Sequence, residues 1–240
     1  METAIASLDE RIVARRAQSA LFLFLGRMLE DELDADALAL LRTTLREPLA
    51  ELGMEIPDDV LFADPDEVLP RLAVEFTALF VQPGAVSPYA SVFETGALFQ
   101  APADRAARLY REAGFRFQHV HSGEFPDHVG TMLAFVATQF AAEADRLEQG
   151  DEPAAAEAQA RRGRFLLEEL GGWAPAWCRL AASAANHSFY ANLLALIERV
   201  LWEELAVIAP PRRLRELWRK NSRRPARRQA SPEFRKASGL

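Results

Sequence analysis

Apolar residues recur with helical spacing in the second half of the chain. Six of them stand at offsets 0, 3, 4, 7, 11 and 18, which is one face of a helix with about 3.6 residues per turn. They are Val129, Met132, Leu133, Val136, Phe140 and Leu147. A second set, from Phe189 to Leu201, steps at offsets 0, 4, 7, 8, 11 and 12. The two sets predict two long amphipathic helices, the first capped by Asp127 and the second ending before Pro210.

Five further helices are predicted. They cover residues 8–29, 35–47, 65–80, 154–170 and a short stretch after Pro102 that stops near Gly114. Alternation of apolar and polar positions, which is typical of a half-buried strand, is absent over any useful length. We therefore expect an all-α, single-domain helical bundle over residues 1–209, followed at 210–240 by a short helix and then a basic, disordered tail.

A long irregular loop is expected in the middle of this bundle. Residues 82–88 contain Pro83, Gly84 and Pro88, which prevent a regular helix. A long loop inside a helical bundle is uncommon and is often functional. The loop is therefore the first place to look for a binding site.

Aromatic residues flank this loop on both sides. Pro88, Tyr89 and Ser91 are hard to assign to a core, and an aromatic hydroxyl on a stiff loop suits contact with a peptide. The apolar residues that precede the loop have a simpler interpretation as core residues. They are Phe76, Leu79 and Phe80.

The charges are distributed unevenly along the chain. Residues 210–240 carry 11 basic and 2 acidic side chains, a net charge of +9. Residues 1–209 carry 17 basic and 33 acidic side chains, a net charge of −16. Such an acidic body repels nucleic acid and attracts cationic peptides at modest salt, so we predict no nucleic-acid partner.

The composition also limits the cellular context. No run of about 18 apolar residues is present, so we predict no stable membrane insertion. The first 16 residues lack the form of a signal peptide. Cys178 is the only cysteine, which excludes an internal disulfide and a cysteine-rich zinc site. These features favour a reducing cytoplasm.

Three of the four histidines fall within one segment of ten residues, beside two carboxylates. The side chains are His119, His121, Glu124, Asp127 and His128. Histidine and carboxylate are metal ligands, so a metal-dependent enzyme is one hypothesis. The preferred interpretation is that Asp127 caps the following helix, that His128 packs beside it, and that the pair holds a neighbouring loop through hydrogen bonds.

Glu75 and Glu94 are a second candidate pair, one on each side of the loop. Acid–base catalysis would require a raised pKa in one of them and a bound substrate. Solvated or peptide-facing charge is the preferred interpretation. Phosphate-binding glycine loops and serine elbows are also absent from the sequence. We therefore predict no enzyme activity, no metal and no cofactor.

Two motifs resemble those of a known family. The first is Phe76-x-x-Leu79-Phe80, then Pro83-Gly84, then Ser87-Pro88-Tyr89-x-Ser91-Val92-Phe93; the second is Glu124-Phe125-Pro126-Asp127-His128. Both resemble signatures of the TorD/DmsD/NarJ chaperones, and the region from Phe165 to Tyr190 is similar as well. Ser87 and Ala90 depart from the pattern, where many members have proline and glutamate.

This resemblance implies an all-helical cytoplasmic chaperone, either a monomer or a domain-swapped homodimer. Members bind the apo-form of a molybdenum-containing oxidoreductase, its twin-arginine signal peptide, or both, and assist cofactor loading before export. The predicted client-binding residues are Phe76, Leu79, Phe80, Pro88, Tyr89, Ser91, Glu94, Glu124, Asp127 and His128. If the two motifs form one site, Tyr89 and His128 lie together. A generic helical interaction scaffold is the remaining alternative.

Overall fold

The fold is all-α, as the sequence predicts. A computed structural model describes residues 7–82, 84–116 and 125–223. Within these ranges the chain forms α-helices and two π-helical turns, with no strand. The helices are α1 (Leu8–Glu30), α2 (Ala35–Arg42), α3 (Arg46–Glu51), α4 (Asp58–Phe62), α5 (Pro65–Phe76), α6 (Ala90–Thr95), α7 (Ala101–Glu112), α8 (Val129–Glu148), α9 (Glu152–Phe165), α10 (Ala174–Ala184), α11 (Ser188–Ile208) and α12 (Pro211–Asn221). The π-helical turns are Thr77–Val81 after α5 and Leu166–Leu170 after α9.

The centre of the bundle is the antiparallel pair of α1 and α8. The Ser19 hydroxyl donates to the Ala137 carbonyl at 2.9 Å, and towards the other end Gly26 lies directly against Gly130. A Cβ atom on Gly130 would be 2.8 Å from the Gly26 carbonyl oxygen. The two backbones can approach this closely because neither residue has a side chain.

The last described helix is attached to the body of the bundle. Leu217 and Asn221 are buried on the inner face of α12. The Asn221 amide donates to the Gly171 carbonyl at 2.8 Å, and its oxygen accepts from the Ala176 backbone N–H at 2.8 Å. The expected disordered tail lies, from residue 224 onwards, outside the described residues.

Three predicted helices differ in their bounds, and one of them, expected over 154–170, is α9 followed by a π-helical turn. The helix expected over 35–47 is α2 followed by α3, and Pro48 lies in the first turn of α3. Proline is tolerated there because the first backbone N–H groups of a helix have no partner inside it. The helix expected over 65–80 is α5, which Asp64 caps, and it continues as a π-helical turn.

Three observed helices were not predicted. The helices α4 and α6 have only five and six residues, too few for a periodic pattern. The helix α10 is buried over nearly its whole first half. It has only 11 residues, of which two, Arg179 and Ser183, are polar, so its apolar residues do not mark out one repeated stripe. The gap expected between the helix over 65–80 and the helix after Pro102 is therefore interrupted by α6, which begins at Ala90.

Candidate functional site

The backbone joins the two motifs. Tyr89 and His128 form an isolated antiparallel bridge. On either side of it, the Val129 N–H donates to the Pro88 carbonyl at 2.8 Å, and the Ala90 N–H donates to the Asp127 carbonyl at 3.1 Å. Tyr89 and His128 therefore lie together, as expected for a single site.

The carboxylate of Asp127 stabilises this contact between the two motifs, which we call the junction. Asp127 and Ser91 are both fully buried, and Asp127 Oδ2 accepts from the Ser91 backbone N–H at 2.7 Å. Ser91 is the second residue of α6, whose own N-cap residue provides no side-chain acceptor. Asp127 thus satisfies the N-terminus of α6 from a distant part of the sequence.

The prediction that Asp127 caps α8 is therefore wrong. The N-cap of α8 is His128, whose Nδ1 accepts from the Gly130 N–H at 3.2 Å. The Asp127 side chain is turned towards α6 instead. The related prediction, that Asp127 and His128 hold a neighbouring loop by hydrogen bonds, is right for Asp127, but the segment that its side chain holds is the start of α6 and the His128 side chain bonds within α8.

His128 is an uncharged, buried structural group. Its ring contacts the Tyr89 ring edge-on, with 5.1 Å between centroids. Burial lowers the pKa of the His128 imidazole from 6.5 to about 4, because the interior disfavours the charged form. At neutral pH the ring is therefore neutral, which is the form that the Gly130 N–H requires as an acceptor.

Replacing His128 with asparagine should remove one component of the acid sensitivity of folding. The lowered pKa stabilises the folded protein above pH 6.5, and this contribution is lost as the pH falls towards 4. Between pH 7 and about 4.5 the loss amounts to roughly 2–3 kcal/mol. Asparagine is also an N-cap residue, so it can accept from Gly130 without titrating.

The measurement is urea unfolding of wild type and His128→Asn at both pH values. Carboxylates that titrate in the same range are common to the two proteins, so the difference between their pH dependences isolates the histidine. Identical pH dependences would contradict the assignment.

An aromatic surface extends from the junction to the outside of the molecule. It consists of Tyr89, Phe125 and Phe99. The Phe125 ring lies edge-on to Tyr89, with 5.4 Å between centroids, and to Phe99, with 4.2 Å. Phe99 is 72% exposed. Its φ of 58° is the only positive value of a non-glycine residue among the described residues.

Sequence reasoning missed Phe99. A left-handed backbone conformation is unfavourable for a bulky residue and tends to persist where a function requires it. The signal in the sequence is weak, because Leu98 and Phe99 are simply two apolar residues shortly after a glycine. Phe125 belongs to the second motif, but its contact with Phe99 depends on the fold.

The three apolar residues before the loop are core residues. Phe76, Leu79 and Phe80 are all buried. The Phe80 ring lies 5.8 Å from Trp177 and 6.1 Å from Tyr190, measured between centroids. This confirms the simpler of the two interpretations. Leu79 also lines a cleft of about 300 Å³ beside the loop, together with Gln82, Gly84, Val86 and Ala184.

Glu75 and Glu94 do not form a pair of acids. Glu75 is buried, and its Oε1 accepts from the backbone N–H of His187 at 3.1 Å. The interpretation of Glu75 as a solvated or peptide-facing charge is therefore wrong. Glu94 is exposed and faces Arg105 at 3.8 Å, while Arg105 also pairs with Glu169 at 3.0 Å.

Three consecutive acidic residues, Glu30, Asp31 and Glu32, lie at the C-terminal end of α1, beside the junction. The Thr131 hydroxyl donates to Glu30 at 2.8 Å, and the Thr77 hydroxyl donates to Glu32 at 3.1 Å. The C-terminal end of α1 thus links the start of α8 to the π-helical turn. Burial raises the pKa of the Glu30 carboxyl, and its bond to Thr131 opposes that shift. The partial negative charge of a helix C-terminus adds to these carboxylates.

The proposed metal ligands are only partly described. His119, His121 and Glu124 lie outside the described residues, so their contribution to the predicted site stays untested. Within the described part of the chain, no group of three histidine, cysteine or acidic side chains is arranged to hold a metal ion. Nor does any described helix combine the length and apolar character needed to cross a membrane.

Comparison with known proteins gives one family match. A family model described as the nitrate reductase delta subunit matches residues 30–179, a range that includes both motifs. No curated protein matches the chain. Among solved structures, a candidate redox enzyme maturation protein from Archaeoglobus fulgidus is 24% identical over 62% of this chain and 91% of its own, with a TM-score of 0.35.

Proposed function

Since the chain belongs to the nitrate reductase delta subunit family, whose members are maturation chaperones of redox enzymes and not catalysts, we propose that its client is an apo-form molybdenum-containing oxidoreductase. We further propose that it recognises the client's twin-arginine signal peptide, acts in the cytoplasm and assists cofactor loading before export. The membership confirms the family predicted from the motifs. It also sets aside the metal-dependent enzyme.

One observation supports the client-binding proposal most strongly. The two motifs lie together, and an aromatic surface extends outwards from the junction between them. Bulky rings at Tyr89, Phe99 and Phe125 offer apolar area with little loss of side-chain entropy on binding. They are mounted on a junction that Asp127 and Ser91 fix from the buried side. A rigid, partly exposed aromatic patch suits the apolar segment of a signal peptide.

Charge complementarity supports a cationic segment next to that apolar segment. Glu30, Asp31 and Glu32 lie at the C-terminal end of α1, which contacts the start of α8 where His128 stands. Adjacent arginines of a peptide would meet this acidic end while the apolar run meets the rings. We expect a dissociation constant of the order of micromolar, as suits a client that must be released.

The binding test uses a synthetic fluorescent peptide with two adjacent arginines followed by an apolar run of about 12 residues. Tyr89→Ala and Phe99→Ala should each weaken binding about 5- to 30-fold, because truncating an aromatic anchor typically costs about 1–2 kcal/mol. Fluorescence anisotropy with the full chain measures the change.

The matched control is Phe62→Ala, which removes another exposed phenylalanine, 67% accessible, from α4. This variant should bind the peptide like wild type. Equal losses for Phe62 and Phe99 variants would show that the aromatic surface has no special role. A peptide with both arginines changed to glutamine should bind more weakly and with less salt dependence; unchanged binding would reject recognition of the arginine pair.

A further inference from the structure

The outer face of α12 carries a row of arginines. Arg212, Arg215 and Arg219 stand at offsets 0, 3 and 7 and therefore lie on one side of the helix. Arg223 follows at offset 11, just after the helix ends. We call these four residues the arginine face. It points away from the protein, because Leu217 and Asn221 fix the opposite face of α12 against the bundle.

Most of this charge is not neutralised within the protein. The acidic residue in α12, Glu216, lies 3.6 Å from Arg212 and 3.2 Å from Arg213. Arg215, Arg219 and Arg223 form no ion pair with any part of the chain that the structure describes. The sequence beyond them, residues 224–240, adds five basic residues and one acidic residue.

A tryptophan borders the arginine face. Trp218 is 61% exposed, and its ring packs on Trp202 with 5.5 Å between centroids. Tryptophan favours the interface between water and lipid, where its ring is buried and its N–H stays in a polar layer. A row of exposed arginines is attracted to anionic head groups, and an exposed tryptophan beside it can enter the interfacial layer of the bilayer.

We propose that the arginine face of α12 docks on the surface of an anionic membrane. Each arginine is attracted to anionic head groups, and Trp218 enters the interfacial layer. The remainder of the protein, with its net charge of −16 over residues 1–209, is repelled by the same surface. The opposite charges of the two parts orient the molecule with α12 towards the lipid. This inference is independent of the client-binding proposal.

The test measures binding of the full chain to vesicles by co-sedimentation. Wild type should bind vesicles containing about a quarter phosphatidylglycerol, bind weakly to pure phosphatidylcholine, and dissociate at high salt. The triple variant Arg215→Gln, Arg219→Gln, Arg223→Gln should bind the anionic vesicles roughly 100-fold more weakly, since each basic residue contributes about five-fold.

The matched control changes the same number of charges elsewhere. Arg108→Gln, Arg111→Gln, Arg116→Gln alters three exposed arginines in and just after α7 and should bind vesicles like wild type. Thermal unfolding checks that both triple variants are folded. In addition, Trp218→Ser should weaken binding, and aqueous quenchers should reach Trp218 less readily when anionic vesicles are present.

Four results would overturn the proposal. One is equal binding to neutral and anionic vesicles, and another is equal loss in the two triple variants. The third is tighter binding of a short DNA duplex than of vesicles with the same dependence on the arginine face, which would identify a nucleic-acid surface. If deleting residues 224–240 abolished vesicle binding while the α12 variant kept it, the assignment to this helix would also fail.

Discussion

Replacing Glu143 with alanine is expected to lower the free energy of unfolding by about 3–5 kcal/mol. Glu143 on α8 and Arg162 on α9 are each only 3% exposed and form an ion pair. Glu143 also accepts from Arg15 Nε of α1 at 2.8 Å. Its loss would leave the Arg162 guanidinium buried without its counter-charge, over the Phe140 ring at 3.8 Å. Urea unfolding monitored by circular dichroism measures the change.

The same helix supplies a control for this prediction. Asp145 pairs with Arg16 at 2.6 Å, and both side chains are about half exposed. Solvent screens such a pair, so Asp145→Ala should cost no more than about 1 kcal/mol. A double replacement, Glu143→Leu with Arg162→Leu, should recover most of the stability lost in Glu143→Ala, because it removes the unpaired charge. Similar losses for Glu143→Ala and Asp145→Ala would contradict the argument.

The position of Glu143 in the sequence already indicates a buried carboxylate. Glu143 stands 14 residues after Val129, so it lies on the same apolar stripe as Phe140 and Leu147. A carboxylate on the buried face of a helix requires a cationic or hydrogen-bonding partner. The partner is Arg162 because α9 packs against α8. That packing cannot be read from the apolar positions of α8 alone.

The helices that could be predicted best are the long ones, in which apolar residues recur over several turns. The apolar stripes in α8 and α11 recur along helices of 20 and 21 residues, and the structure places both helices within one residue of the predicted start. The helix α10 has only 11 residues, and its first five, Ala174 to Cys178, are all buried, so burial there extends around every side of the helix. Its buried and exposed positions therefore do not form the repeated stripe from which a helix is predicted.

The site was only partly predictable, because some of its contacts join segments that are far apart in the sequence. The motifs predict that Tyr89 and His128 lie together, and the structure joins them. The local rule that aspartate is a good N-cap favours Asp127 for α8, but the neighbouring N-terminus of α6 takes its carboxylate. Phe99 belongs to neither motif, and its exposure depends on a left-handed backbone conformation that composition does not indicate.

Replacing Gly130 with alanine is expected to cost about 3 kcal/mol, because it would separate α1 from α8 beside the junction of Tyr89 and His128. The new Cβ would lie 2.8 Å from the Gly26 carbonyl oxygen and 2.5 Å from Glu30 Cγ. The side chain of Glu30 can move, but the backbone oxygen can move only with the helix. The same Cβ would approach His128 Nδ1 to 3.2 Å, so peptide binding should weaken as well.

Two further glycine variants separate the effect of this crossing from that of glycine itself. Gly26→Ala meets the Gly130 carbonyl oxygen at 2.8 Å from the other side and should destabilise by a similar amount. Gly163→Ala in α9 meets only Ile208 Cδ1, at 3.9 Å, and should stabilise by about 0.5–1 kcal/mol, because alanine restricts the unfolded chain. Since Gly26 and Gly130 share one contact, their double variant should lose less than the sum of the single losses. Full additivity, or an unchanged midpoint of urea unfolding in Gly130→Ala, would mean that the backbones of α1 and α8 are not in close contact at this crossing.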